Sequence, residues 1–489
     1  MKRMKKMVSV ALTLVMAFAM ALTMKVTTFA AGKTFTITAP NNNHTYEIYQ
    51  IFTGDLSEGG KTLSNVKWGS NGTKTPGTDV DKTVLEEIKG LNSGDADQTK
   101  LATIKKYVDL TGNPYKTVKN GTVDVPEGYY LIKDKDNSLT NQNDVYTTYI
   151  VQVSKDLTIT PKADKPQSEK KVKDTNDTTG DTTGWQDSAD YDIGDNVPFQ
   201  LTGTVTSKYA DYKAYKFVFH DKESAGLTFN ADSVKVYVDG KQISSGYEVT
   251  TSPEDGHTFD VVFKDLKQIS EVKAGSKITV EYTSKLNDKA VIGSAGNPNT
   301  MHLEYSNNPN DDQGGETGKT PEDTVIVFTY KTIINKVDAS GAALKGAEFK
   351  LYKVMKDGSE KEVAVVKNPE GTTFTFNGLD DGDYILRETT TPDGYNSISD
   401  IKFRITASHD VLSESPALKD LTGDKVTGEI ELTADKTAGS LTSNIVNQKG
   451  SELPETGGMG TTAMYLVGVV LVAGALLLLI TKRRMDTDR

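Results

Sequence analysis

Period-two alternation of apolar and polar residues, punctuated by Gly, Asn and Asp, constrains this chain more than any other feature. It runs through TVIVFTYKTIINKVD (324–338), DVYTTYIVQV (144–153) and SVKVYVDG (233–240). Alternate side chains of a strand share a face, so each run can cover a core with one side and meet water with the other. Helical spacing is plausible only over VLEEIKGL (84–91) with ATIKKYVDL (102–110). The pattern predicts an all-β chain built of tandem β-sandwiches. At 489 residues it is too long for one core and suits about three domains of roughly 150 residues each. A Pro- and Lys-rich join (TPKADKPQ, 160–167), a long polar loop (NNPNDDQGGETGKTPED, 307–323) and a stalk (QKGSELPETGG, 448–458) punctuate the pattern. The predicted division is a leader at 1–31, sandwiches at 32–164, 165–331 and 332–450, and a C-terminal signal at 451–489.

The two ends place the chain outside the cytoplasm. Lys2, Arg3, Lys5 and Lys6 precede an apolar run from Val8 to Met24, and small residues follow at Ala30 and Ala31. This is the form of a secretory signal peptide, cut after Ala30 or Ala31. At the other end LPETGG (453–458) precedes an uncharged stretch from Met459 to Thr481 and then Lys482, Arg483 and Arg484. The stretch is long enough to span a bilayer, and the basic trio would hold the tail on the cytoplasmic side. Leu453, Pro454, Glu455, Thr456 and Gly457 resemble the cell-wall sorting signal of Gram-positive surface proteins. That resemblance implies that a sortase cuts between Thr456 and Gly457 and that the chain is then fixed to peptidoglycan.

The whole chain carries −11, the leader +5 and the piece after Thr456 +2, which leaves −18 on the outer segment. A nucleic-acid binder would show a basic face, so that class is excluded. There is no cysteine, so covalent reinforcement of this secreted chain must come from other chemistry. The five histidines (44, 220, 257, 302, 409) are scattered in sequence and give no sign of a transition-metal cluster. DTNDTTGDTTGW (174–185) has calcium-like spacings, but Thr179 falls where an EF-hand loop needs Gly, so it reads as a solvated turn. Neither a metal nor a cofactor is expected. No phosphate-binding Gly loop or hydrolytic Ser/His arrangement is present.

GDYILRETTTPDGY (382–395) poses the sharpest chemical question. Tyr384, Leu386 and Glu388 alternate, so a carboxylate shares the face of two core residues, where an unpaired acid is costly. The stretch closely resembles the E-box of Gram-positive pilins, with Thr391 in place of an Ala. KVDASGAALKGAEFKLYK (336–353) resembles the start of the collagen-binding-protein B-type sandwich of those proteins. DYDIGDNVPFQLTGTV and FHDKESAGLTFN resemble their A-type domain. The chain as a whole resembles a SpaA-type major (backbone) pilin.

The resemblance implies self-formed Lys–Asn isopeptide bonds assisted by an acid, and the chemistry is coherent by itself. A desolvated Lys loses its proton and becomes a nucleophile, while a buried acid stays protonated and can pass protons as ammonia leaves. In TIINKVD the two strand faces are equally mixed, and the family's Lys-Val-Asp start selects Lys336. In LTSNIVNQKG, Ile445 and Asn447 share a face, which selects Asn447 with Asn444 in reserve; Glu388 is the acid. In the second domain the expected set is Lys170, Asp221 and Asn307, with Lys171 and Asn308 as neighbours. For the first domain GYYLIKD (128–134) places Lys133 or Asp134 where the acid would fall, and no cross-link is expected.

DLTITPKADKP (156–166) resembles the pilin motif whose Lys attacks the sortase-bound Thr of the next subunit. It implies Lys162 as the linking residue, with Lys155 and Lys165 as rivals. The expectation is a structural shaft subunit rather than an enzyme, with sortase, identical subunits and peptidoglycan as partners and minor pilins and host surface beyond them. The alternative is a monomeric wall-anchored adhesin for a host matrix protein, and a third reading is a minor or basal pilin that makes no use of Lys162.

Overall fold

The computed structural model describes residues 33–56, 63–91, 97–153, 155–160, 164–311, 313–368, 370–450 and 459–487. It is an all-β protein of sandwiches, followed by one long C-terminal helix. Strands between Thr34 and Thr158 form a three-stranded and a five-stranded sheet. Two short helices, Lys82–Lys89 and Asp97–Lys105, cover one side of this unit. They begin earlier in the chain than their apolar spacing suggests, and Leu85, Ile88, Leu101 and Ile104 point into its core.

From Ser168 to Phe328 the strands form a five-stranded and a seven-stranded sheet around one aromatic-rich core. The first strand, Ser168–Val172, pairs with Asn196–Thr204 at the edge of the five-stranded sheet. The strand Phe217–Glu223 lies in the opposite sheet between Asn297–Ser306 and Phe259–Phe263. The apolar run at 324–338, continuous in sequence, is two strands. Asp323–Phe328 closes this sandwich and Tyr330–Asp338 opens the next, with buried Thr329 between them.

The last sandwich pairs its first and last strands side by side and parallel. Tyr330–Asp338 runs beside Ser440–Asn447, with Lys336 opposite Ile445 and Asp338 opposite Asn447. The E-box strand Gly382–Thr390 lies in the facing sheet, between Glu348–Val354 and Ile401–His409. A buried ion cluster locks this unit to the one before it. Lys353 donates to Asp192 at 3.0 Å and to Asp380, and the Tyr384 hydroxyl donates to Asp380 at 3.1 Å. The C-terminal helix Met459–Thr487 contains a segment, Met464–Arg484, with mean hydropathy 2.6, long and apolar enough to cross a membrane.

Candidate functional site

In the C-terminal sandwich Lys336 lies on the inward face of its strand with Thr332 and Ile334, and its side chain is fully enclosed. Its Nζ donates to the Ile445 carbonyl at 2.8 Å. Burial pulls the amine down from its ordinary range to about 8, against the opposing pull of Glu388. Asn447, also fully enclosed, stands two residues beyond Ile445 on that same parallel strand. Its Nδ2 lies 3.0 and 3.1 Å from the two Glu388 oxygens, and its Oδ1 is left without a hydrogen bond. Thr391 turns its hydroxyl to Glu388 Oε2 at 3.0 Å, so the residue that departs from the E-box pattern helps hold the acid. Glu388 is half-buried rather than enclosed. Asn444 is exposed and bonds Asn335, away from Lys336.

The middle sandwich holds a second set, with one member different from that expected. Lys170 and Asp221 are fully enclosed and in direct contact, and Lys170 also donates to the Tyr282 hydroxyl at 2.8 Å. Burial drives the Lys170 amine down and the Asp221 acid up, each opposed by the other's charge. Asn307 is not beside them. It lies one residue past the end of the strand Asn297–Ser306, and its Nδ2 donates to the Asp144 carbonyl of the first unit at 3.2 Å. Asn299 takes the place instead. It is fully enclosed, faces Glu223 across the strand pair, and donates to the Tyr282 hydroxyl at 3.0 Å. Asn299 and Asn307 fall on the same side of the period-two pattern, so alternation alone could not separate them; the cross-strand register does. Glu223 also joins the pocket, its acid pushed up to about 8 by burial and by Asp221. Asp221 Oδ1, Glu223 Oε2 and Asn299 Oδ1 are all buried without hydrogen bonds. Three orphaned oxygens around one buried amine form an arrangement that costs stability unless chemistry relieves it. Lys171 points elsewhere, to Asp187 and Glu169, and Asn308 accepts from the Asn310 backbone.

In the first unit Lys133 is ion-paired with Glu47 at 3.2 Å and Asp136 at 2.8 Å, and Asp134 with His44 at 2.9 Å. Among the described residues no asparagine side chain is bonded to either. Lys162, the leader and Leu453–Gly457 lie outside the described residues. Of the rivals to Lys162, Lys165 is held by Asp144 at 2.6 Å, and Lys155 is exposed.

The histidines are not scattered in space. The structure brings His220, His257 and His302 together, with ring centroids 4.7 to 5.2 Å apart, because three strands and a turn meet there.

Three family descriptions match parts of the chain. Residues 193–309 match a Cna-B-like domain of Gram-positive pilin backbone subunit 2. Residues 331–415 match the SpaA prealbumin-like fold domain, and residues 445–487 the LPXTG cell wall anchor motif. The trypsin-resistant surface T6 protein of Streptococcus pyogenes serotype M6 is 27% identical over 364 residues, 60% of this chain and 65% of that one. The solved T6 backbone pilin, described as modular and three-domained, superposes with TM-score 0.55 at 18% identity, covering 87% of this chain and 100% of that one. The full-length major pilin SpaD of Corynebacterium diphtheriae aligns with TM-score 0.47 at 18% identity over 86% of this chain and 98% of that one.

Proposed function

We propose that this chain, a Gram-positive backbone pilin with an LPXTG cell-wall anchor, is the shaft subunit of a covalent polymer whose domains are welded by internal Lys–Asn bonds. Two trios carry the reading: enclosed Lys336 and Asn447 with half-buried Glu388, and enclosed Lys170, Asp221 and Asn299. Each sets an amine with a depressed proton affinity near an acid and an amide in a dry pocket. The neutral Lys Nζ attacks the Asn Cγ, and a C–N bond forms. The acid delivers a proton to Nδ2 and takes up the one that Nζ sheds, the old C–N bond breaks, and ammonia leaves. Amine plus primary amide thus become one secondary amide plus ammonia, with no redox change and no separate enzyme.

Between subunits the same bond type would be made by a sortase. Thr456, held as an acyl group after the cut at Gly457, would pass to the Lys162 amine of the next copy. The last subunit would pass to peptidoglycan. Lys162 precedes the middle sandwich and Thr456 follows the last, so head-to-tail joining leaves the middle and C-terminal sandwiches in line with the pull and the first unit beside it. The test is a wall extract on a denaturing gel. A high-mass ladder that collapses to a single band in Lys162→Ala supports the shaft. A single band from the parent chain, with retained binding to a host matrix protein, supports the adhesin instead.

A further inference from the structure

His220 and Asp260 sit opposite one another on neighbouring strands, on the face that points away from the core. Above them passes the turn between Glu248–Thr251 and Phe259–Phe263, which carries Asp255 and His257. That turn is sharply bent, with left-handed backbone at Ser252 (φ 51°) and Gly256 (φ 84°), so that both side chains reach back over the sheet.

Four atoms converge there. His220 Nδ1 lies 2.8 Å from Asp260 Oδ1 and 3.6 Å from Asp255 Oδ2. His257 Nδ1 lies 2.9 Å from the same Asp255 oxygen and 3.5 Å from the same Asp260 oxygen. Each nitrogen therefore faces both oxygens. A tetrahedron of ligands about 2.0–2.1 Å from a zinc ion has edges of about 3.3 Å, the centre of this range. Ordinary His–Asp pairing would be expected to give each ring its own aligned partner. Here His257 Nδ1 is buried yet makes no aligned hydrogen bond.

The support around the four is also that of a metal site. The other nitrogen of His220, Nε2, is 3.2 Å from Glu304 Oε2, and Lys216 holds Glu304 at 2.8 Å. Without a cation, Nδ1 is paired with Asp260 Oδ1; with one bound there, the carboxylate on Nε2 would hold the tautomer that leaves Nδ1 as the ligand, as in carboxylate–histidine–zinc triads. The His302 ring stacks on His220 with centroids 4.8 Å apart. We propose that His220, His257, Asp255 and Asp260 form a zinc-class divalent-cation site that fastens this turn to the outer sheet of the middle sandwich. In a chain without cysteine it would be a reversible fastener, distinct from the two covalent ones.

The test uses the full-length chain in detergent, stripped with a chelator and titrated with Co²⁺ alone and then with Zn²⁺. The expected result is one equivalent of Co²⁺ with the intense visible absorption of tetrahedral coordination, bleached by Zn²⁺. Zn²⁺ should also raise the unfolding temperature. His257→Ala and Asp255→Asn, both on the turn, should each weaken binding by at least about 10- to 100-fold while keeping the metal-free unfolding temperature. No tetrahedral spectrum, or a spectrum that survives in both variants, overturns the site.

Discussion

Replacing Glu388 by Ala should leave the C-terminal sandwich folded but unwelded. Lys336 and Asn447 are brought within reach by the parallel pairing of their strands, and Glu388 is the acid bonded to that amide. Without it the proton transfers that release ammonia lose their carrier. The bond closes a loop of about 111 residues, and closing a loop of about 100 residues removes roughly 4.7 kcal/mol of unfolded-state entropy. Unfolding entropy of about 2.1 cal/mol/K per residue, over the residues from Tyr330 to Asn447, converts that into a fall on the order of 20 °C. An unlinked Lys336 left in the dry interior adds to the loss. Two measurements follow on the mature chain. Intact mass should show the parent short of two ammonia molecules and the variant short of one, and calorimetry should show only the last sandwich melting early. A parent chain at full calculated mass, or a variant with an undiminished deficit, would refute the chemistry.

The middle sandwich separates two asparagines. Asn299→Ala should restore one ammonia to the mass, whereas Asn307→Ala should leave the deficit intact and disturb only the contact with Asp144; the reverse result removes Asn299 from the trio. The rate of bond closure should depend on pH. With the Lys336 amine near 8 before reaction, its neutral fraction rises from about 1% at pH 6 to about half at pH 8, roughly 50-fold. Time-resolved mass after refolding should follow that rise, and a flat profile between pH 6 and 8 would exclude amine attack as the slow step. The same shift bears on stability when the bond is blocked, as in Asn447→Ala. A lysine held lower in the folded than in the unfolded chain destabilises the fold fully below pH 8, and the loss is recovered as pH rises from about 8 towards 10.4. The melting temperature of that variant should therefore climb over this window relative to the linked parent.

Much of this was legible in local pattern. Alternation gave the strands and the sandwich class, and the E-box stretch located Glu388, because its spacing is carried within one strand. Only the resemblance separates the Lys336 face of its strand from the other, equally mixed one, and the structure turns that face inward with Thr332 and Ile334. What sequence could not show depends on register between distant segments. Asn299 and Asn307 fall on the same side of the period-two pattern, and only the pairing of the strand Asn297–Ser306 with Phe217–Glu223 says that Asn299 stands near Asp221, while Asn307 lies just past the strand's end. The histidines were missed for the same reason. His220, His257 and His302 lie tens of residues apart; strand pairing makes His220 and His302 neighbours, and the turn before Phe259 brings His257 over them. Thr329 ends one sandwich inside a run without Gly or Pro because both flanking strands need apolar faces for separate cores.

The position of Asn299 has a mechanical corollary. If the proposed bond joins Lys170 to it, everything from 171 to 298 would hang as a slack appendage off the line of force. The segment from Thr300 to Thr329 would not. It is a hairpin, Asn297–Ser306 returning as Asp323–Phe328, whose open end faces the exit toward the next unit. A strong pull would part that hairpin pair by pair and pay out about 100 Å of chain, at roughly 3.4 Å per residue. The fibre would then stretch and recoil at this one place while its covalent ring stayed shut.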